Sequence, residues 1–135
     1  LDLIRKVKEY GANVKCVLTE AAKEFVTPLS VKALSNNKVH TKLFDKKGIS
    51  SFNHIELSKE QDIIIVAPAT ANLIARFAHG EASDLASTIL LATKKPIFLL
   101  PSMNVRMWEN QTTKKNVRSI KSNRNIKVLN PIKGS

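Results

Sequence analysis

Ile63-Ile64-Ile65-Val66-Ala67-Pro68-Ala69-Thr70-Ala71-Asn72-Leu73 is the stretch that decides the fold. Its first four residues are β-branched and apolar on both faces, which predicts a central strand of a parallel sheet with helices on each side. The strand is expected to stop at Ala67-Pro68, because proline cannot donate to a ladder. A helix over residues 72–79 is expected next, closed by Gly80. Thirty residues on, Ile97-Phe98-Leu99-Leu100 repeats the pattern and meets a proline again, Pro101. Between the two runs, a helix beginning near Ser83-Asp84 and continuing through Leu91 supplies a crossover. Apolar strands alternating with helices predict a doubly wound parallel α/β sheet, in which ligands bind beyond the C-terminal strand ends.

The flanks extend this pattern. Leu1, Leu3, Ile4, Val7 and Tyr10 recur at helical spacing, with Gly11 placed as a terminating glycine. The run Val14-Lys15-Cys16-Val17-Leu18 predicts a strand, and Thr19 is placed to cap the helix after it. Thr27-Pro28 reads as an N-cap with proline at the first helical position, opening a helix to about Ser35. A weaker strand is expected over residues 39–44, followed by a loop marked by Lys46-Lys47-Gly48 and Ser50-Ser51. A polar helix over residues 112–122 and a last strand over 126–129 complete the order.

With 135 residues, 43% of them hydrophobic, the chain suits one domain with a buried core. The single cysteine, Cys16, excludes an internal disulfide, and no apolar run reaches membrane-spanning length. A cytoplasmic setting is therefore expected, with no membrane partner. The net charge of +11 raises the question of nucleic acid. The cations are scattered, however, and the densest stretch, residues 114–127, carries no interleaved aromatics on which bases stack. It reads as a solvated helix face, and no nucleic-acid partner is expected. A phosphorylated small molecule would nonetheless be favoured by a positive surround.

Three stretches sit where a doubly wound sheet places its site. Pro68-Ala69-Thr70-Ala71-Asn72-Leu73 brings small residues, a hydroxyl and an amide to a helix N-terminus, where free N–H groups favour polar cofactor atoms. The plainer reading makes Thr70 or Asn72 a helix cap. No glycine-rich dinucleotide turn is present, which leaves a mononucleotide. Pro101-Ser102-Met103-Asn104-Val105-Arg106-Met107-Trp108 crowds both methionines and the only tryptophan into a loop. It is either an apolar plug or a pocket in which Asn104 offers a donor and an acceptor. Of the three histidines, His40 and His79 read as surface or capping residues. His54, in Asn53-His54-Ile55-Glu56-Leu57 ahead of the central strand, is the candidate for proton transfer. The spacing of His, Cys and carboxylates fits no metal set.

Taken together, these segments resemble the homo-oligomeric flavin-containing cysteine decarboxylases, and within them the phosphopantothenoylcysteine decarboxylases. The family's P-A-S-A-N-x motif is matched by Pro68 to Leu73, with Thr70 for serine and Leu73 where threonine is commoner. Its P-x-M-N-x-x-M-W motif is matched throughout by Pro101 to Trp108. His54-Ile55-x-Leu57 resembles the active-site histidine segment, His79-Gly80-x-Ala82-x-Asp84-Leu85 the helix junction, and Thr19-x-x-Ala22-x-x-Phe25-Val26 the flavin-contacting turn. The resemblance covers essentially the whole chain.

It implies a flavoprotein, Rossmann-like three-layer α/β/α fold over residues 1–135. The family's first strand and glycine-serine loop would precede Leu1, and its cysteine-bearing flap would follow Ser135, so the domain is expected to be truncated at both ends. FMN is the implied cofactor, bordered by Thr19, Ala22 and Phe25, lined by Thr70, Ala71, Asn72, Leu73 and Ser102, with Asp84 at its helix junction. His54 and Asn104 are the implied catalytic residues, and Asn104 with Met103 would hold the substrate. The implied reaction oxidises the cysteine moiety of 4′-phosphopantothenoylcysteine, releases carbon dioxide and ends in 4′-phosphopantetheine for coenzyme A synthesis. Implied partners are further copies in a homotrimer or dodecamer and a fused ligase domain. Three other readings remain open: a flavin prenyltransferase or peptidyl-cysteine decarboxylase, a non-catalytic regulatory flavin-binding domain, and a charge-driven polyanion binder.

Overall fold

The computed structural model describes residues 1–24, 26–41 and 61–131. These residues form two compact units, one from residues 1–41 with 84–86, the other from 61–83 with 87–131.

In the first unit, α1 (Asp2–Glu9) packs against α2 (Pro28–Ser35). Lys8 Nζ donates to the Ser35 carbonyl at 3.1 Å, tying the two helices where an apolar contact alone is thin. Gly11, at φ +87°, closes α1 in a conformation that disfavours other residues, and its N–H donates to the Lys8 carbonyl. Thr27 caps α2 as expected, accepting from Ser30 N–H at 3.1 Å, and Pro28 takes the first helical position. The strand expected over residues 14–18 is reduced to one parallel bridge, Val17 with His40. Its hydrogen bonds run from Leu18 N–H to the His40 carbonyl and from His40 N–H to the Cys16 carbonyl. Just upstream, the Asn37 amide takes the Val14 carbonyl at 2.6 Å, so a side chain satisfies a group that a ladder would have paired. Only the start of the strand expected over 39–44 falls within the described residues.

The second unit is the parallel sheet. Strands β1 (Ile64–Ala69), β2 (Ile97–Pro101) and β3 (Ile126–Val128) lie in the order β1-β2-β3, all parallel. Helices α3 (Ala71–Ala78) and α4 (Leu85–Ala92) connect β1 to β2, and α5 (Val105–Glu109) and α6 (Gln111–Lys121) connect β2 to β3. Leu73, Ile74 and Phe77 of α3, Leu90 of α4 and Val117 and Ile120 of α6 form one core with Ile97, Leu99 and Ile126 of the sheet. The central position belongs to β2, whose Ile97 and Leu99 are 0% and 1% exposed.

Two expectations change here. β1 is an edge of the described sheet, and only its Ile64 and Val66 pack on the core, while Ile63 and Ile65 are exposed. An apolar run shows that a strand can be covered twice, and the neighbours decide whether it is. β1 also does not stop at Ala67-Pro68. It continues to Ala69 through an irregularity between Val66 and Ala69, so the proline occupies the one interval where the ladder is not regular. The five-residue α5 was not expected, being too short to show a period.

Candidate functional site at two strand ends

β1 and β2 finish side by side. Ala69 is registered against Pro101, and Ser102 N–H donates to the Ala69 carbonyl at 3.1 Å, one step beyond the last strand pair. Each strand then turns directly into a helix. Thr70 is extended at ψ 161° and its Oγ1 accepts from Leu73 N–H at 3.2 Å, starting α3. Asn104 is extended at ψ 163° and its Oδ1 accepts from Met107 N–H at 2.9 Å, starting α5. The two motif turns therefore form one edge, each closed by its own side-chain cap.

The side chains on this edge divide by burial. Thr70, Asn72, Ser102 and Asn104 are exposed, and Ala71 is half-buried. Leu73 is 7% exposed and belongs to the core, and its N–H is taken by Thr70 Oγ1. Met103 and Trp108 are half-buried and pack against the core, which gives them the plug role foreseen for this apolar loop. Met107 stays 45% exposed. With its Oδ1 engaged, Asn104 keeps the Nδ2 donor for a ligand, and Asn72 keeps both polar atoms of its amide. The turns 67–73 and 101–108 hold no carboxylate, so the edge is neutral apart from Arg106.

The remaining expected residues lie elsewhere. Thr19, Ala22 and Asp84 belong to the first unit. There Thr19 Oγ1 accepts from Ala22 N–H at 3.2 Å and caps a short 3-10 turn, Ala22–Glu24, in place of the expected helix. Asp84 is half-buried. Phe25 and His54 lie outside the described residues. A depression of ≈ 340 Å³ beside the C-terminus of α2 is lined by Leu29, Lys32, Ala33, Asn36, Asn37 and Lys38, and contains none of the expected site residues. Burial raises the Cys16 thiol above its ordinary range, so it is a poor nucleophile at neutral pH. No group of three metal-ligating side chains occurs among the described residues. One arrangement was invisible in the sequence: Lys114 Nζ lies over the Trp108 ring, 4.5 Å from its centroid. A spacing of six residues across the break at Asn110 carries no periodic signal.

The sequence model of the flavoprotein family matches residues 1–135. The chain belongs to that family. This flavoprotein is 45% identical over 133 residues to the coenzyme A biosynthesis bifunctional protein CoaBC of Vibrio vulnificus strain YJ016, a match covering 98% of this chain and 33% of the relative. It thus spans about a third of the length of the curated relatives it matches. Among solved structures, the FMN-dependent cysteine decarboxylase SpaF superposes with a TM-score of 0.83 at 26% identity, covering 94% of this flavoprotein and 74% of that chain. A PPC decarboxylase mutant complexed with pantothenoylaminoethenethiol superposes at 0.78 with 28% identity, covering 96% and 73%. The parallel three-stranded sheet and its crossovers are the Rossmann-like arrangement expected from the alternating pattern.

Proposed function

We propose that this flavoprotein is the decarboxylase domain of a bifunctional coenzyme A biosynthetic protein, acting on 4′-phosphopantothenoylcysteine with FMN and releasing carbon dioxide to give 4′-phosphopantetheine. The observation that carries the reading is the joined edge, on which Asn72 and Asn104 present amides from neighbouring strand ends in a chain 45% identical to CoaBC. Neutral donors and acceptors, Asn72, Ser102 and the Asn104 Nδ2, suit the polar rim of a flavin ring, and the α3 N-terminus adds backbone N–H groups. No carboxylate lies in either turn to repel an anionic ligand.

When bound, FMN supplies a two-electron oxidation of the cysteine moiety, the chemistry that makes loss of carbon dioxide accessible. Everything else falls to the chain. Asn104 Nδ2 donates to the substrate carboxylate and orients it, and Met103 beside it in the same turn helps hold the substrate. His54 moves or holds a proton near the reacting carbon. Thr70 to Leu73 with Ser102 line the flavin. The working assembly is a homotrimer or dodecamer in the cytoplasm, with the ligase as a further domain of the same protein.

The test uses the full-length protein. It should purify yellow and release carbon dioxide from 4′-phosphopantothenoylcysteine, and light scattering should give a mass of three subunits or a multiple of three. A colourless protein inert toward this compound would refute the assignment.

A further inference from the structure

We propose that Lys114, held over Trp108, is the cation that reads the phosphate of the substrate, an inference that rests on the decarboxylase reading above. A flexible lysine on a surface helix normally samples many rotamers. Lys114 instead packs its ammonium 4.5 Å from the Trp108 ring centroid and is half-buried. Trp108 is itself held, because its ring packs against the sheet core, and its backbone N–H donates to the Asn104 carbonyl at 3.0 Å, one helical turn back. Trp108 thus sits one turn from Asn104 on α5, and Lys114 lies over its ring. The Asn104 amide and the Lys114 ammonium are separated along the chain by Trp108, whose ring the ammonium covers. An extended substrate charged at both ends requires such a separation.

The charge balance favours an external anion. From Asn110 to Ser135 the sequence contains no Asp or Glu, and Lys114 forms no ion pair among the described residues. An ammonium that is positioned, partly desolvated and without a carboxylate binds a phosphate more strongly than a solvated one does. Lys114 is thus a specificity-determining residue. It favours phosphorylated over unphosphorylated pantothenoylcysteine through binding and leaves the decarboxylation chemistry to the strand-end residues.

The test compares kcat/KM for the two compounds in the full-length, flavin-loaded protein. Lys114→Gln should lower the preference for the phosphorylated compound about tenfold, mostly through KM, the size expected for one charge-assisted hydrogen bond. Lys114→Arg should restore most of it. Lys114→Met keeps the stem on the indole, should show the same loss, and guards against a packing artefact. Added salt should erode the preference of the wild type and leave that of Lys114→Gln unmoved. If all variants keep the wild-type preference, or lose both substrates in parallel, the lysine serves only to pack Trp108 and the inference is wrong. A wild type inert toward both compounds sinks the decarboxylase reading itself, a result distinct from a changed preference.

Discussion

Ser102 and Ala69 belong to different strands and different motifs, yet the amide of one donates to the carbonyl of the other at 3.1 Å. That bond joins two turns separated by about thirty residues of sequence, so a change in either turn is felt at the other.

Asn104 has one duty in the fold and a second one proposed. Its Oδ1 caps α5 through Met107 N–H, and its Nδ2 is the donor assigned to substrate. Aspartate is as good a cap as asparagine but cannot donate, and it repels a carboxylate. Asn104→Asp should therefore keep its unfolding free energy in urea within about 0.5 kcal/mol of wild type while turnover disappears. Asn104→Ala should lose turnover and about 1 kcal/mol of stability as well. Equal turnover in wild type and Asn104→Asp would remove the residue from the mechanism.

Thr70 separates capping from ligand contact in the same way. Thr70→Ala should cost about 1 kcal/mol, because Leu73 N–H loses its acceptor at the start of a helix whose next residues are core. Thr70→Ser should recover nearly all of it. Chemical unfolding of both variants decides the matter, and a serine variant as weak as alanine would mean that the methyl group, rather than the hydroxyl, holds the turn.

Leu99 lies at the centre of the sheet and is 1% exposed, between β1 and β3 and under α3 and α6. Leu99→Ala should cost about 2–5 kcal/mol, a transfer loss plus a cavity that three strands cannot collapse to fill. The exposed Met107→Ala should cost well under 1 kcal/mol in the same assay.

His40 is buried beside Cys16 and Val17, and its pKa is lowered from the ordinary 6.5, first by burial and then by repulsion from Lys38 and Lys15. A histidine with a depressed folded pKa takes up its proton more readily when unfolded. Its contribution to stability is therefore present above about 6.5 and lost as pH falls below that value. Thermal midpoints should drop between pH 7.5 and 5.5, and His40→Gln should flatten the drop. An unchanged slope in that variant would place the acid sensitivity elsewhere.

The legible parts of the fold were those with a local cause. Thr27-Pro28 announces α2 because a cap and a proline act within one turn, and Ile97 to Leu100 announces β2 because an unbroken apolar run has nowhere to go but inside. What was misread depends on partners remote in sequence. Residues 14–18 have strand composition, but Asn37 takes the Val14 carbonyl and leaves a single bridge to His40. Ile65 has core composition, but in the described sheet β1 has a neighbour on one side only. The meeting of the two motif turns was legible in outline, since a doubly wound sheet brings successive strand ends together whatever the side chains. The capping of α5 by Asn104 and the seat of Lys114 on Trp108 were not, because both depend on a five-residue helix too short to show a period.

Thr19, Thr70, Asn104 and Asn110 each close the turn they begin with their own oxygen, so these corners take their shape as the chain folds and wait for no visitor. A small molecule arriving at such a rim does not have to organise it first. Its binding free energy escapes the ordering toll that floppy loops exact, and empty and loaded protein should share nearly the same backbone there.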